Sequence, residues 1–179
     1  YDSDFGTALN RFISQAAAGV PITLYGTGEQ TRAFIHIEDT CNCILTALEK
    51  SAPRDGPVTI YNQMTECHRL TDLAKLVKSV HDEMRHDYVG SPAAERMPGV
   101  NKDTEIVFID NPRKELTKND LFVCNDRFFK APRAPPTLVN KESIRTLIAE
   151  AMEFSSRFDK SIVLPQSKWK GFQPVNVAN

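Results

Sequence analysis

A turn after a short apolar run carries the side chain best suited to bind an anion. Gly26 and Gly28 follow the run Ile22–Tyr25, and glycine reaches backbone conformations that are closed to other residues. Arg32 comes shortly after the second glycine, and its guanidinium offers a planar fork of donors that fits a phosphate or a carboxylate. Taken alone, the same pattern is also typical of a hairpin turn with a solvated charge. The residue types therefore leave an anion site and an ordinary turn both open.

The composition is that of a folded protein with one core. The chain has 179 residues, of which 41% are hydrophobic and 25% are charged, and this length suffices for a single core. Its net charge of -1 excludes the basic surface that nucleic acids need, so individual arginines would have to hold any anion. No run approaches the roughly 18 apolar residues of a membrane span, so we expect neither nucleic-acid binding nor membrane insertion. Tyr1–Asp4 contains no initiating methionine and no signal-peptide pattern, so we expect the chain to begin within a longer protein.

The cysteines indicate a reducing compartment. Cys41, Cys43, Cys67 and Cys124 contain no paired C-x-x-C grouping, and free thiols persist where glutathione keeps them reduced. Cys41 and Cys43 are two apart on an expected helix, where their side chains diverge around the axis. We therefore expect packing roles and no metal site.

The spacing of apolar residues predicts four helices. The first carries a buried stripe over Ala8–Ala17 and ends before Gly19, and the others are expected to be capped by Asp39, Thr71 and Asn140. Their expected core residues are, in order, Cys41, Ile44, Leu45 and Leu48; then Leu73, Leu76, Val77 and Val80; then Ile144, Leu147, Ile148, Ala151 and Met152, extended by Phe154 and Phe158.

Short apolar runs predict strands between these helices. The runs are Ile22–Tyr25, Ala33–Ile37, Val58–Tyr61 and Glu105–Ile109. Their alternation with helices favours an α/β fold with partly parallel pairing. The other stretches are expected to be irregular: a loop from His81 to Gly99, a proline-rich connector over Ala131–Pro136, and a tail over 161–179 that packs through Trp169.

Many residues around the turn occur in an order that is shared with a known family. They are Phe12, the run Pro21–Gly28, Gln30–Arg32, Phe34–Ile37 and Asp39. This series resembles the nucleotide-sugar-binding segment of the extended short-chain dehydrogenases, the NAD-dependent epimerases and dehydratases. Within the family the likeness is strongest to the UDP-sulfoquinovose synthases, because it extends to Phe5–Phe12, Tyr61–Glu66, Asn111–Arg113, Pro165, Ser167, Trp169 and Lys170.

The resemblance implies a fold and an activity for a larger parent protein. The chain would be the C-terminal portion of a Rossmann-like domain, comprising its last sheet strands and helices and the small substrate-binding subdomain over residues 1–160, followed by the tail. The parent would use NAD to make the sulfolipid head-group precursor from UDP-glucose and sulfite. No tyrosine in this chain is followed by lysine at the fourth position, and no strand precedes a G-x-x-G-x-x-G or G-x-G-x-x-G loop. The resemblance therefore assigns no catalytic residue here and places NAD in the missing N-terminal half.

The resemblance also implies roles for individual binding residues. Thr23 and Tyr25 match the strand beside the nucleotide base, and Gln30 belongs to the motif that ends in Arg32. The remaining matches are Arg32 and Arg113 with the diphosphate, Asn62 with the nucleotide and Glu115 with a ribose hydroxyl. From the residues alone, Tyr25 could equally be a core aromatic and Arg113 a solvated loop charge. His36, which lacks a partner acid or nucleophile in any recognisable motif, is expected to be packed or exposed at an edge.

Two other functions remain compatible with the sequence. The chain could belong to another nucleotide-sugar epimerase or dehydratase, or it could be a binding module without chemistry of its own. The expected partners are a UDP-sugar and the missing N-terminal half. Many members of the family also form homodimers through helices of that half. Relatives act in the bacterial cytoplasm or in the plastid stroma, and both are reducing.

Overall fold

The computed structural model describes residues 7–50, 56–91, 94, 103–111, 120–121, 123–125 and 135–164. They form two compact units. The first unit takes its described residues from Tyr1–Gln30, Arg69–Asn119 and Asn140–Asn179, and the second from Thr31–His68 and Asp120–Val139.

The described elements alternate between helix and strand. The helices are α1 (Ala8–Ala17), α2 (Ile37–Glu49), α3 (Leu70–Tyr88), α4 (Lys141–Glu153) and α5 (Lys160–Val163), with a short 3-10 turn at Ser155–Arg157. The strands are β1 (Ile22–Tyr25), β2 (Thr31–Phe34), β3 (Glu66–Arg69) and β4 (Ile106–Ile109). β1 pairs with β4, and β2 pairs with β3.

The core of the first unit lies where α1, α3 and α4 pack against one another. Helix α1 confirms its predicted stripe, since Phe12 is fully buried and Leu9, Ile13, Ala16 and Ala17 are buried beside it. Burying an aromatic or large aliphatic side chain stabilises a fold by about 1.5–3 kcal/mol. The three helices thus form one core, which fixes the position of β1 because that strand packs on α1 and α3.

The parallel pair β1 and β4 confirms two predicted strands. Ile22 lies opposite Ile106 and Tyr25 opposite Ile109. Ile22 and Leu24 are completely buried, which explains why an apolar alternation of only four residues forms a regular strand. The pairing brings the end of β1, where the predicted site begins, beside the end of β4.

Helix α2 starts earlier than predicted. Its N-cap is His36, whose Nδ1 accepts a hydrogen bond from Glu38 N at 3.3 Å. β2 therefore ends at Phe34 rather than at Ile37, and the prediction that Asp39 caps the helix is wrong. Asp39 is instead buried in the first turn, where its Oδ2 accepts from Thr137 N at 2.7 Å. His36 has a structural role that the sequence pattern did not indicate.

Helix α3 differs from its prediction at both ends. It begins at Leu70 after the N-cap Arg69, and the Thr71 hydroxyl donates to Gly28 O at 2.6 Å instead of capping the helix. It also continues to Tyr88, through residues predicted to be a loop. His81 and Met84 are buried at 0% and 1% exposure, so they extend the face formed by Val77 and Val80.

The buried face of α2 is opposite to the predicted one. Ile44, Leu45 and Leu48 are 50%, 47% and 66% exposed, whereas the buried residues are Asp39, Cys43 and Thr46. At 3.6 residues per turn these two sets point in opposite directions. We define the apolar α2 face as Ile37, Cys41, Ile44, Leu45 and Leu48, all of which are exposed.

The predicted strand Val58–Tyr61 is also wrong for this structure. These residues form no strand, and Val58 and Ile60 are 91% and 74% exposed. A strand needs a partner for its backbone groups. The second unit thus presents apolar side chains on two of its segments.

The C-terminal helices confirm one prediction and correct two. Asn140 caps α4 in a reciprocal arrangement with Ser143, and Ile144, Ile148 and Met152 are completely buried, as their spacing predicts. The helix ends at Glu153, so Phe154 does not extend it and is 46% exposed. The predicted irregular tail begins instead with α5, and Val163 packs on Ala18 and Val20. Trp169 and the proline-rich stretch before Pro135 lie outside the described residues.

Replacement of Gly28 by alanine is expected to destabilise the turn after β1. Gly28 has a φ of 70°, and an added Cβ would lie 2.8 Å from Thr71 Oγ1 and 3.3 Å from a Leu24 methyl carbon. The left-handed conformation costs about 1–2 kcal/mol with a side chain, and crowding typically adds about 1–3 kcal/mol. Urea unfolding of Gly28→Ala should show both contributions.

Gly90→Ala is the matched control for this substitution. Gly90 has a φ of 81°, but an added Cβ would meet no heavy atom within 4 Å. It should therefore show the backbone contribution alone. Equal losses of unfolding free energy in the two variants would contradict the close contact with Thr71.

Acidification is expected to weaken the first unit through His81. Burial lowers the pKa of the His81 imidazole; the Asp82 carboxylate opposes this, while Arg85 and Lys78 add to it. Nδ1 lies 2.5 Å from Thr104 Oγ1. Because the folded pKa is below the unfolded value of about 6.5, the unfolded state binds the extra proton. Stability is therefore fully present above that pH and falls as the pH drops below it, by at most about 1.4 kcal/mol per pH unit.

Comparison of His81→Gln with His86→Gln tests this expectation. Unfolding free energies would be measured in urea at several pH values between pH 7.5 and 5. His81→Gln should flatten the acid slope, whereas His86→Gln should retain it because His86 is exposed. A slope unchanged by His81→Gln would place the acid sensitivity elsewhere.

Candidate functional site

The turn after β1 is held from both sides by hydrogen bonds to its backbone. Tyr25 O accepts from Gly28 N and from Gln30 Nε2, both at 3.3 Å. At the other end, Gly28 O and Gln30 O each accept a backbone N–H from the start of α3 at 3.0 Å. Gln30 is buried at 4% exposure, so its amide nitrogen forms its hydrogen bond inside the turn. The sequence placed Gln30 in the site, and the structure shows it holding the segment between Tyr25 and α3.

Thr23 is buried and contacts α1. Its N–H donates to Gln15 Oε1 at 2.9 Å, and its hydroxyl accepts from Gln15 Nε2 at 2.8 Å. Its carbonyl accepts from a terminal nitrogen of Arg11 at 3.0 Å. The threonine therefore uses its side chain and backbone within the fold, and any contact with a ligand stays a prediction.

Tyr25 is half-buried beside a cation. The guanidinium carbon of Arg11 lies 4.8 Å from the centroid of the Tyr25 ring. Neither Arg11 nor Gln15 was singled out from the sequence, because polar residues next to an apolar helix stripe are typical of a solvated flank. Their four-residue spacing, which puts both on one side of α1, was the available signal.

The second unit holds two of the predicted binding residues. Arg32 lies in β2, half-buried, and its Nη1 donates to Thr31 O at 2.9 Å. Phe34, two residues later, lies with its ring centroid 6.2 Å from the ring of His68 on β3. Asn62 is exposed, and its Nδ2 donates to Cys124 O at 2.8 Å.

The structure therefore brings Thr23, Tyr25 and Gln30 together on one continuous segment of the first unit, while Arg32 and Asn62 belong to the second. Arg113 and Glu115 lie outside the described residues. The first unit supplies an aromatic ring and an amide, and the second unit supplies a guanidinium and an amide; each of these groups can bind a ligand by stacking or by hydrogen bonds.

The cysteines and other ligating residues form no cluster suited to a metal ion in the part of the chain that the structure describes. The cysteines are free. Burial, with a smaller contribution from the Asp39 carboxylate, raises the pKa of the Cys43 thiol. That thiol thus stays protonated, and it packs as a small apolar group. Among the described helices, none combines the length and the apolar character required to cross a membrane.

Comparison with known proteins identifies the family. The sequence matches the NAD dependent epimerase/dehydratase family over residues 2–62, which include α1, β1, the turn, β2 and α2. It is also 33% identical over 172 residues to the chloroplastic UDP-sulfoquinovose synthase of Spinacia oleracea, across 95% of this chain and 32% of the relative. The chain belongs to the NAD-dependent epimerase/dehydratase family.

A second relative has the same name as the first. The UDP-sulfoquinovose synthase of Sulfolobus acidocaldarius is 28% identical over 179 residues, covering 95% of this chain and 39% of the relative. The chain thus spans about a third of the length of these curated relatives. The two matches extend beyond the turn to nearly the whole chain.

Solved structures of epimerases in the family share the fold. UDP-glucose 4-epimerase from Thermotoga maritima, solved with UDP-glucose, has a TM-score of 0.58 at 16% identity, over 87% of this chain and 42% of that one. UDP-glucuronic acid 4-epimerase from Bacillus cereus, solved with UDP-glucuronic acid and NAD, has a TM-score of 0.56 at 19% identity, over 83% and 40%. The α/β fold predicted as part of a Rossmann-like dehydrogenase is therefore confirmed.

Proposed function

We propose that this chain is the nucleotide-sugar-binding part of a larger enzyme that makes UDP-sulfoquinovose from UDP-glucose and sulfite. The observation that carries this proposal is the similarity to two UDP-sulfoquinovose synthases across 95% of the chain. Solved relatives at lower identity hold UDP-sugars, which supports the wider class of ligand.

The proposed ligand contacts follow the predicted residues. Thr23 and Tyr25 supply the strand beside the base, and Gln30 holds the turn that leads to Arg32. Arg32 and Arg113 bind the diphosphate, since a guanidinium can donate two parallel hydrogen bonds to one anion. Asn62 and Glu115 contact the nucleotide and a ribose hydroxyl.

NAD is assigned to the rest of the parent enzyme. A glycine-rich loop after a strand and a Y-x-x-x-K motif are both absent from the sequence. In the parent enzyme NAD would supply transient oxidation of the sugar ring. The role proposed for this chain is confined to binding and orienting the sugar nucleotide, and the 179 residues alone should be inactive.

The partner of the chain is the remainder of the parent protein. The curated relatives are about three times as long as the part matched here. The apolar α2 face and the exposed Val58 and Ile60 are the surfaces on which that remainder would pack, because solvent-exposed apolar clusters mark contact sites. A homodimer of the parent stays a prediction.

Binding and turnover by the protein at its natural length test the function. UDP-glucose should bind, and conversion should require both sulfite and NAD. Turnover of UDP-glucose without sulfite would indicate another epimerase or dehydratase of the family. Binding without any turnover would favour a non-catalytic module, and failure to bind any UDP-sugar would overturn the proposal.

A further inference from the structure

Arg11 is a buried cation on α1 that lies against the proposed base-binding strand. Its residue exposure is 8%. A terminal nitrogen donates to Thr23 O at 3.0 Å. The guanidinium carbon lies 4.8 Å from the Tyr25 ring centroid and 5.5 Å from that of Phe12. One side chain thus connects the backbone of β1 to the aromatic ring at its end.

A buried guanidinium is an unfavourable choice for packing alone. Removing a charge from water is costly, and an apolar side chain of similar volume often stabilises a core better. The cation also restricts the ring, because the attraction between a guanidinium and an aromatic face strengthens when water is excluded. A ring held on one face in this way can meet a ligand through its other face or its hydroxyl.

Gln15 provides a natural comparison on the same helix. It lies one turn after Arg11, is fully buried, and also contacts Thr23, through both its amide oxygen and its amide nitrogen. Its amide nitrogen additionally donates to Val163 O at 3.1 Å. Both residues fix β1 to α1, but it is Arg11 whose guanidinium lies against the Tyr25 ring.

We propose that Arg11 is a positioning residue that fixes the Tyr25 ring for the nucleoside part of the ligand. This inference rests on the proposed function, because it assigns Tyr25 to the nucleoside of a UDP-sugar. Arg11 acts through Tyr25 and not through the phosphates. Its contribution to affinity should therefore be the same for uridine, UMP and UDP.

The test uses the protein at its natural length and titrates uridine, UMP and UDP into single and double variants. Arg11→Met should weaken the binding of all three ligands by about tenfold, the scale of one cation–π contact that excludes water. Tyr25→Leu should weaken binding at least as much. The double variant should bind no more weakly than Tyr25→Leu, because Arg11 acts only when the ring is present.

Two further variants separate positioning from general stability. Gln15→Met should lower the melting temperature and weaken uridine binding less than Arg11→Met does, because its hydrogen bonds go to Thr23 and Val163. Arg11→Lys keeps the positive charge and replaces Arg11→Met in the titrations if Arg11→Met does not fold. It should lose less affinity for the three ligands than Arg11→Met does. In the absence of ligand, the NMR signals of the Tyr25 ring should shift in Arg11→Lys and stay in place in Gln15→Met.

Each contrary outcome has its own meaning. Arg11 variants that fold and bind uridine normally would overturn the positioning role. A loss that grows with the number of phosphates would replace it by direct contact with the diphosphate, and additive losses in the double variant would show that Arg11 does not act through Tyr25. If the unsubstituted protein binds neither UDP nor UDP-glucose, the proposed function fails and this inference fails with it.

Discussion

Replacement of Arg32 by alanine is expected to weaken the binding of UDP-glucose by about one to two orders of magnitude. A hydrogen bond to a charged group contributes about 1.5–3 kcal/mol, and about 1.4 kcal/mol corresponds to a tenfold change in affinity. Arg32 lies half-buried in β2, where reduced exposure to water strengthens such bonds. Calorimetric titration of the natural-length protein would measure the loss.

Arg32→Lys should recover only part of that affinity. Lysine keeps the positive charge but cannot present the two parallel donors of a guanidinium. The size of the recovery thus separates the contribution of charge from that of geometry. If the two variants bind equally weakly, the fork is essential; if lysine restores full affinity, charge alone suffices.

Arg69→Ala is the matched control for an arginine at the end of a strand. Arg69 is about half-exposed and pairs with Glu29 at 3.3 Å, and exposed pairs of this kind contribute little to stability. This variant should bind UDP-glucose normally. If Arg32→Ala also bound normally while its melting curve showed a folded protein, Arg32 would be an ordinary strand cation and the diphosphate would have to lie elsewhere.

The sequence predicted those elements whose apolar face meets the core within this chain. Phe12 on α1, Leu24 on β1 and Ile148 on α4 are all completely buried. The spacing of apolar residues in these elements therefore predicted their buried faces correctly. The cap at Asn140 was equally readable, because its side chain bonds to a backbone group only three residues away. Local geometry and internal packing agree at these positions.

The predicted helix boundaries were wrong where the side chain of the expected cap forms a hydrogen bond with a residue far away along the chain. Thr71 has the composition of a cap, yet its hydroxyl bonds to Gly28 O, 43 residues away. Asp39 accepts from Thr137 N, 98 residues away. Capping propensity considers neighbouring backbone groups alone, so it could not predict these long-range hydrogen-bond partners.

The fold of the turn was predictable from the sequence, but the contacts around it were not. The turn from Tyr25 to Gln30 is folded as its glycines suggested, with φ values of 60° at Gly26 and 70° at Gly28. Arg11 could not be found in this way, because its contact with Tyr25 depends on how α1 packs on β1. A resemblance in linear order predicts which residues meet a ligand, whereas the structure shows which residues hold them in place.

The apolar α2 face has the spacing of a buried helix face, although no described residue covers it. Ile44 and Leu48 have the spacing of core residues, but they are exposed, while the polar Asp39 and Thr46 are buried. Burial of such a face usually drives helix packing. We therefore expect the 179-residue chain, made alone, to self-associate through this face at tens of micromolar concentration, as its exposed apolar surface would predict.

The double variant Ile44→Glu/Leu48→Lys tests that expectation. It leaves the net charge of -1 unchanged and places a Glu–Lys pair at helical spacing, which favours the helix by a few tenths of a kcal/mol. Sedimentation should show oligomers for the unsubstituted chain and a monomer for the variant. Thr146→Lys on α4, where the new ammonium faces Glu142 one turn earlier and both positions are exposed, is the control and should remain oligomeric.

The same double variant should have the opposite consequence in the natural-length protein. If the rest of the parent covers the apolar α2 face, the new Glu–Lys pair is taken out of water there, and a buried ion pair typically leaves a protein about 1–4 kcal/mol less stable than apolar side chains of similar volume do. The variant that makes the isolated chain monomeric should therefore melt at a lower temperature, or fail to fold, within the longer protein. A sharp monomer peak for the unsubstituted chain, together with unchanged melting of the substituted parent, would show that this face is an ordinary solvated surface, because exposed substitutions on a helix change stability by less than about 0.5 kcal/mol.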